Sequence, residues 1–390
     1  MARIDLHVHA LMADALFFFR GRPGRGRLAA RPGDIFRNQV SLQGWRDGGF
    51  GVAVATLYSP PVLHRGSGHL REILRQAAIT CEFAAAHPER LEVARSPAEA
   101  RRIAGSGRTA LVLAVEGAHG IRSAADLSAV DAAGIRMLTL AHLRDNAVAA
   151  ASVPRSPLEG PNFALVASER QADDRPGQGS KIRRNRHGLT ALGRDVVREM
   201  QRRGLLIDLA HASDRAFDEV LALTASDATP LLVSHTSSRA FHRSERSLAD
   251  EQAAAIGARR GAIGVSLWRR LLDFGGGHTG PPADTRPGTA EAFSAHYQHL
   301  RQVAGPRVGL GSDLNGMIPR LRPSGACPCG MRHLGDWPAV EVALAAAGIP
   351  ARELEESAEP FLAAWEGARA NAAARAAVPA ARAVGAREGR

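Results

Sequence analysis

Lysine is almost missing from this sequence. Lys181 is the only one among 50 basic residues, and the arginines are spread along the whole chain. Schiff-base chemistry and carbamylated-lysine metal bridges therefore have a single candidate side chain. Aromatic residues make up 5%, too few for base-stacking platforms, and the arginines form no clustered basic face. The net charge of +11 thus does not point to nucleic acid. Only three cysteines occur (Cys81, Cys327 and Cys329), which excludes a disulfide framework in 390 residues and predicts a reducing, cytoplasmic setting. No run of 18 apolar residues is found, so no membrane-spanning helix is expected. The apolar run Ile4–His9 begins almost at once, which predicts no secretory leader. No G-x-G-x-x-G follows that run, which argues against a doubly wound dinucleotide-binding sheet.

What is present is the pattern of a globular α/β chain, with 45% hydrophobic and 23% charged residues. Eight short apolar runs read as strands: Ile4–His9, Gly51–Leu57, Ala110–Glu116, Met137–His142, Leu205–His211, Leu231–His235, Ala262–Ser266 and Val308–Asp313. Amphipathic segments separate most of them, at Leu70–Ala86, Ala125–Ala133, Ala191–Arg203, Asp214–Leu223, Ala249–Arg259, Ala290–Val303 and Ala339–Ala347. Thr190 is placed to cap the third of these. Eight βα repeats predict a (β/α)₈ TIM barrel with insertions.

Two segments depart from the pattern. Residues 150–187 are long, polar and broken by Pro154, Pro157, Pro161 and Pro176, which predicts an enlarged fourth βα loop. Residues 366–390 are mostly alanine and arginine and read as a tail, frayed or disordered. One barrel domain is thus expected over residues 1–365, with a divergent C-terminal extension.

Polar residues end six of the eight strands: His9, Glu116, His142, His211, His235 and Asp313. His7 lies two residues before His9, on the same side of its strand, as does Asp5. Taken singly, each has an ordinary explanation. A histidine pair can simply hydrogen-bond at a strand edge, and a strand-end carboxylate can cap a helix or a turn. In a barrel, however, the C-terminal ends of all strands converge on one face, where the active site lies. So many imidazoles and carboxylates at one mouth are costly to bury without a cation. The nitrogen and oxygen mixture suits zinc or another divalent transition metal. A carboxylate able to bridge predicts two ions sharing a hydroxide, with Asp313 a suitable proton carrier to the leaving amine. The constellation predicts a metallohydrolase and says little about substrate.

The motifs, in order, resemble those of the membrane (renal) dipeptidase family of zinc metallopeptidases, within the amidohydrolase superfamily. The resemblance runs from Asp5 to about Met317. It rests on Asp5-Leu-His7, Val115-Glu116-Gly117-Ala118-His119, Leu138-Thr139-Leu140-Ala141-His142 and Gly188-Leu189-Thr190. Further blocks are Asp208-Leu209-Ala210-His211-Ala212-Ser213, Val233-Ser234-His235-Thr236-Ser237-Ser238, Arg246-Ser247-Leu248 and Gly311-Ser312-Asp313-Leu314-Asn315-Gly316. It implies a binuclear zinc site in which His7, His9 and a bridging Glu116 hold one ion, and His211, His235 and the same glutamate the other. It also implies that His142 steadies the substrate carbonyl, that Arg246 pairs with the substrate carboxylate, and that Asp313 is the acid/base. The implied activity is hydrolysis of the amide bond of dipeptides or dipeptide-like substrates by a cytoplasmic enzyme. The expected partners are a small-molecule or dipeptide substrate and a second copy of the chain as a candidate homodimer, with no nucleic acid and no membrane.

The chain also departs from the family. Where the family usually has His-x-Asp on the first strand, His7-Val8-His9 stands here, raising the net charge of the site by one. A family block resembling Gly-Gly-Asn-Phe is replaced by Glu356-Ser357-Ala358-Glu359-Pro360-Phe361-Leu362. The loop Cys327-Pro328-Cys329-Gly330, with His333 nearby, has no counterpart and offers too few thiolates for a strong metal site. Two alternatives stay open: a metallo-amidohydrolase of a non-peptide amide, cyclic amide or ester, and a non-catalytic barrel protein.

Overall fold

The computed structural model describes residues 2–11, 39–61, 63–153, 170–172, 182–272, 289–316 and 333–377. Lys181, the Cys327–Cys329 loop, all four prolines of the 150–187 segment and residues 378–390 lie outside the described residues.

Eleven strands are described, in chain order: β1 Arg3–Val8, β2 Phe50–Tyr58, β3 Leu91–Val93, β4 Thr109–Glu116, β5 Ile135–Thr139, β6 Arg170–Ala172, β7 Arg183–Asn185, β8 Leu206–Asp208, β9 Leu231–Thr236, β10 Ala262–Val265 and β11 Val308–Leu310. Strand β1 pairs with both β2 and β11, and β2 pairs with β4 from Val52↔Ala110 to Tyr58↔Glu116. The remaining parallel pairs run β4–β5–β8–β9–β10–β11, so eight strands close into the expected (β/α)₈ barrel. Strand β3 adds to the lower end of β4 through Leu91↔Thr109, an edge piece too short to register in the sequence pattern. The hairpin β6–β7 belongs to the enlarged fourth βα loop.

The helices follow the apolar periodicity closely. Ala191–Arg203 and Asp214–Leu223 have the predicted bounds, and Thr190 caps the first by accepting from the Gly193 N–H at 2.9 Å. The Ala125–Ala133 segment divides into a 3₁₀ turn, Ala124–Asp126, and the helix Leu127–Ala132. The helix Pro97–Gly105, with Ser96 accepting from the Glu99 N–H, is not among the predicted helices; it has only nine residues. No described helix is long and apolar enough to cross a membrane.

Alternation along the strands builds two apolar layers. Leu111, Leu113 and Val115 pack outward with the helices, while Ala110, Val112 and Ala114 join Met137, Leu206, Leu232 and Ala262 in a second, inner cluster. Glu116 continues that inner row as its topmost member. The lower mouth is closed by the helix Ala358–Ala377, whose Phe361, Leu362, Trp365 and Ala368 enter the same inner cluster. Its start is fixed by the Ile4 N–H on Ser357 Oγ at 3.2 Å and the Ala358 N–H on the Ala2 carbonyl at 3.0 Å. Residues 366–377 of the Ala/Arg-rich tail continue this helix, and Arg375 donates to the Gln201 carbonyl at 2.8 Å. With the bottom plugged, polar groups gather at the top.

Candidate metal centre

Several expected strand-end groups stand just past the strands. Strand pairing ends at Thr139, Asp208 and Leu310, so His142, His211 and Asp313 each lie three residues beyond on the rim. His211 and Asp313 sit at φ 62° and 59°, a left-handed backbone that turns the chain beyond the strand end. Gly117, at φ 82°, follows Glu116; a Cβ there would come within 2.9 Å of both the His119 ring and His142 Cβ. Only glycine lets those two histidines approach the end of β4 so closely.

Glu116 is the centre of the arrangement, 3% exposed, with five imidazoles around it. Its Oε1 is faced by Nε2 of His7 at 3.4 Å, of His211 at 3.4 Å and of His235 at 3.5 Å. Its Oε2 is faced by Nε2 of His9 at 3.4 Å and of His142 at 3.4 Å. Asp313 Oδ1 adds a second carboxylate, 3.6 Å from His9 and 3.9 Å from His7. Segments as far apart as positions 7 and 313 therefore meet within one small volume, and all seven of these expected groups are in it. Asp5 is not used in this way: its carboxylate accepts from the Ser312 N–H at 2.9 Å and from the Ser312 hydroxyl, behind the site.

The hydrogen bonds behind the imidazoles fix which nitrogens are bare. The Ser234 hydroxyl lies 2.7 Å from Asp208 Oδ2, to which it donates its only proton. Its oxygen then accepts from Nδ1 of His7 at 3.2 Å and of His235 at 3.0 Å. Both rings accordingly carry their proton on Nδ1 and present a bare Nε2 to the centre. Arg246 Nη2 is 3.2 Å from His211 Nε2, and a guanidinium only donates, so that nitrogen is bare as well. Yet His211 Nε2 and His235 Nε2 are 2.9 Å apart. Two facing lone pairs beside a carboxylate repel one another unless a cation lies among them. Donors of this kind, His7-Glu116-His235, Glu116-His142-His211 and His7-His9-Asp313, cluster with all ligand atoms within 4.8 Å. The residues present fit a divalent metal.

Electrostatics point the same way. Burial, reinforced by the positive charges around them, pushes His7, His142, His211 and His235 well below the ordinary value of 6.5, keeping these imidazoles neutral. Burial also opposes charge on His9, but the Asp313 and Glu116 carboxylates outweigh it and hold its pKa up at about 9. Burial raises the Glu116 carboxyl above its usual range.

Arg246 reaches the same rim from the loop after β9, its Nη1 donating to the His235 carbonyl at 3.0 Å. Three contributors went unrecognised in the sequence. Asp208 and Ser234 orient the rings of His7 and His235; both lie in blocks that carry the family resemblance, but each reads there only as a polar residue inside an apolar strand. Tyr58, one of two tyrosines, packs edge-on to His142 with ring centroids 4.7 Å apart. Gln76 clamps its peptide, accepting from the Tyr58 N–H at 3.1 Å and donating to its carbonyl at 2.8 Å.

Residues 27–358 match the membrane dipeptidase family, peptidase family M19. The dipeptidase tcpJ of Claviceps purpurea is 25% identical over 289 residues, covering 74% of this chain and 57% of that protein. The dipeptidase ataJ of Aspergillus terreus is 24% identical over 352 residues, covering 88% and 80%. The match thus spans little more than half the length of the Claviceps relative. A metallo peptidase from Rhodobacter sphaeroides, solved with a phosphinate mimic of the dipeptide L-Ala-D-Ala, shares the fold with a TM-score of 0.73 at 21% identity, covering 94% of this chain and 99% of that one. With the family match running over most of its length, the chain belongs to the membrane dipeptidase family.

Proposed function

We propose that this protein is a metal-dependent hydrolase of the amide bond in dipeptides or dipeptide-like substrates. The observation that carries the proposal is one buried carboxylate, Glu116, ringed by five Nε2 atoms, at least three of them bare. Its family, and relatives named as dipeptidases, support the choice of substrate class.

In this proposal His7, His9, Glu116, His211 and His235 hold two divalent ions, zinc fitting the nitrogen-rich donor set best. Bound there, such ions supply Lewis acidity, which lowers the pKa of water and polarises a carbonyl. The chain's own residues do the rest. Arg246 offers N–H groups in a plane to the substrate's carboxylate. His142, its ring held between Tyr58 and His211 with centroids 4.7 and 4.6 Å away, presents Nε2 to the carbonyl oxygen as charge develops on it. Asp313 takes a proton from the attacking water and passes it to the leaving amine. A cytoplasmic setting is supported by the low cysteine count of three in 390 residues.

The test is metal analysis of the purified protein together with a dipeptide panel assayed with and without chelator. The expected result is bound divalent metal and chelator-sensitive hydrolysis. Less than one metal per chain after loading would reject the centre, and a metal-loaded enzyme inert toward every dipeptide would reject the substrate.

A further inference from the structure

Immediately before Arg246 stands a carboxylate with no part in the centre described above. Glu245 is 3% exposed, and main-chain N–H groups from three separate segments converge on it. Its Oε2 accepts from Val153 at 2.7 Å and from Asn185 at 2.9 Å, and its Oε1 from Asp214 at 2.9 Å. Val153 and Asn185 stand at the two stems of the enlarged fourth loop, while Asp214 opens the helix that follows His211. One side chain therefore fastens both stems of the insertion to the neighbouring βα loop.

The backbone around Arg246 is gripped by the same network. Arg239 is bidentate on Asp214 at 2.9 and 2.7 Å, and it also donates to the carbonyls of Ser247 at 2.9 Å and Glu245 at 3.2 Å. Thr236 Oγ1 donates to the carbonyl of Arg246 itself at 3.3 Å. Three main-chain donors need a group with two oxygens, one of them accepting twice; a glutamine would turn its NH₂ toward at least one N–H. Glutamate here is a requirement of the geometry.

We propose that Glu245 is a positioning and specificity-determining residue: by tying the stems of the fourth loop to the residue next to Arg246, it fixes where the guanidinium meets a substrate carboxylate. This rests on the proposal that Arg246 binds that carboxylate. What Glu245 sets is the spacing between the carboxylate and the amide held at Glu116, and hence the preference for a free C-terminus one residue beyond the scissile bond.

The experiment measures inhibition of the metal-loaded enzyme by a phosphinate dipeptide mimic and by its C-terminal carboxamide. Wild type is expected to prefer the free acid by about 30- to 100-fold, the range of a charge-assisted bidentate contact. Glu245→Gln should shrink that preference at least tenfold by weakening the acid alone, with carboxamide binding and metal content unchanged. Equal weakening of both inhibitors, the mark of a merely structural role, would overturn the proposal. Arg246→Ala separates the two ideas. If it abolishes the preference while Glu245→Gln keeps it, only the role of Glu245 falls; if it leaves the preference intact, the carboxylate contact falls too. Glu245→Asp, which keeps both oxygens on a shorter stem, gives the same comparison should the glutamine variant not fold, with a loss of about threefold or more expected.

Discussion

Ser234→Ala removes one fully buried hydroxyl, and it should still disarm the centre. That oxygen donates to Asp208 at 2.7 Å and accepts from Nδ1 of His7 at 3.2 Å and of His235 at 3.0 Å. Alanine leaves two buried imidazole N–H groups without an acceptor, each costing about 1–3 kcal/mol. Asp208 keeps the Thr139 hydroxyl at 2.6 Å and the N–H groups of Ser234 and Ala210, so the carboxylate itself stays satisfied. The metal-free fold should therefore lose roughly 2–6 kcal/mol. Freed of their acceptor, the two rings lose tautomer and orientation, and divalent metal affinity should fall about 10- to 100-fold, or about 1.4–2.7 kcal/mol. Thr139→Val is the control. It removes one bond to the same aspartate and leaves both imidazoles alone, so it should cost about 1 kcal/mol of stability and barely move metal affinity. Competition for zinc with a chromophoric chelator reads the affinity, and urea unfolding of the chelated protein reads the stability. If both variants bind metal as wild type does, the tautomer argument is wrong.

Two further outcomes follow from the same geometry. Gly117→Ala would place a Cβ within 2.9 Å of His119 and His142 at a φ of 82°, and strain plus overlap should cost about 2–4 kcal/mol with a matching loss of activity; thermal melts and a dipeptide assay check it, and a wild-type melt would contradict it. His119 is pushed from 6.5 down to about 4 by burial, helped by His69 and Arg144. The unfolded chain therefore binds a proton that the folded one refuses, so the stability His119 contributes is present above pH 6.5 and is lost as pH falls through 4. The loss is about 3 kcal/mol over that window. Urea unfolding of chelated wild type and His119→Gln at pH 7 and pH 4.5 should show the smaller pH dependence in the variant; parallel behaviour would refute the assignment.

Much of the barrel was legible because its signals are local. Apolar runs of strand length alternate with helical periodicity, and caps such as Thr190 sit where a backbone N–H needs an acceptor. What escaped was short: β3 has three residues, and the helix Pro97–Gly105 has nine, with only Pro97, Ala100 and Ile103 on its buried face. The rim positions of His142, His211 and Asp313 were placed inside strands because hydrophobic pattern does not reveal where pairing ends. The left-handed turns at His211 and Asp313 carry no hydrophobic signature either.

The groups that gather at the barrel mouth were legible in the chain. Histidines and carboxylates at the ends of apolar strands are too costly to bury alone, and barrel topology brings strand ends to one mouth. Which nitrogen of each ring faces inward was not written there. It depends on Ser234 standing between two histidines 228 positions apart (235 − 7) and on Asp208 behind it, partners that only closure of the sheet brings together. The same holds for Glu245, an ordinary surface-type residue in sequence whose three N–H partners lie 92, 60 and 31 positions away. Sequence determines which chemistry a side chain can offer, because that is covalent; tertiary structure decides what it faces, because burial and hydrogen-bond direction exist only once distant segments share a space.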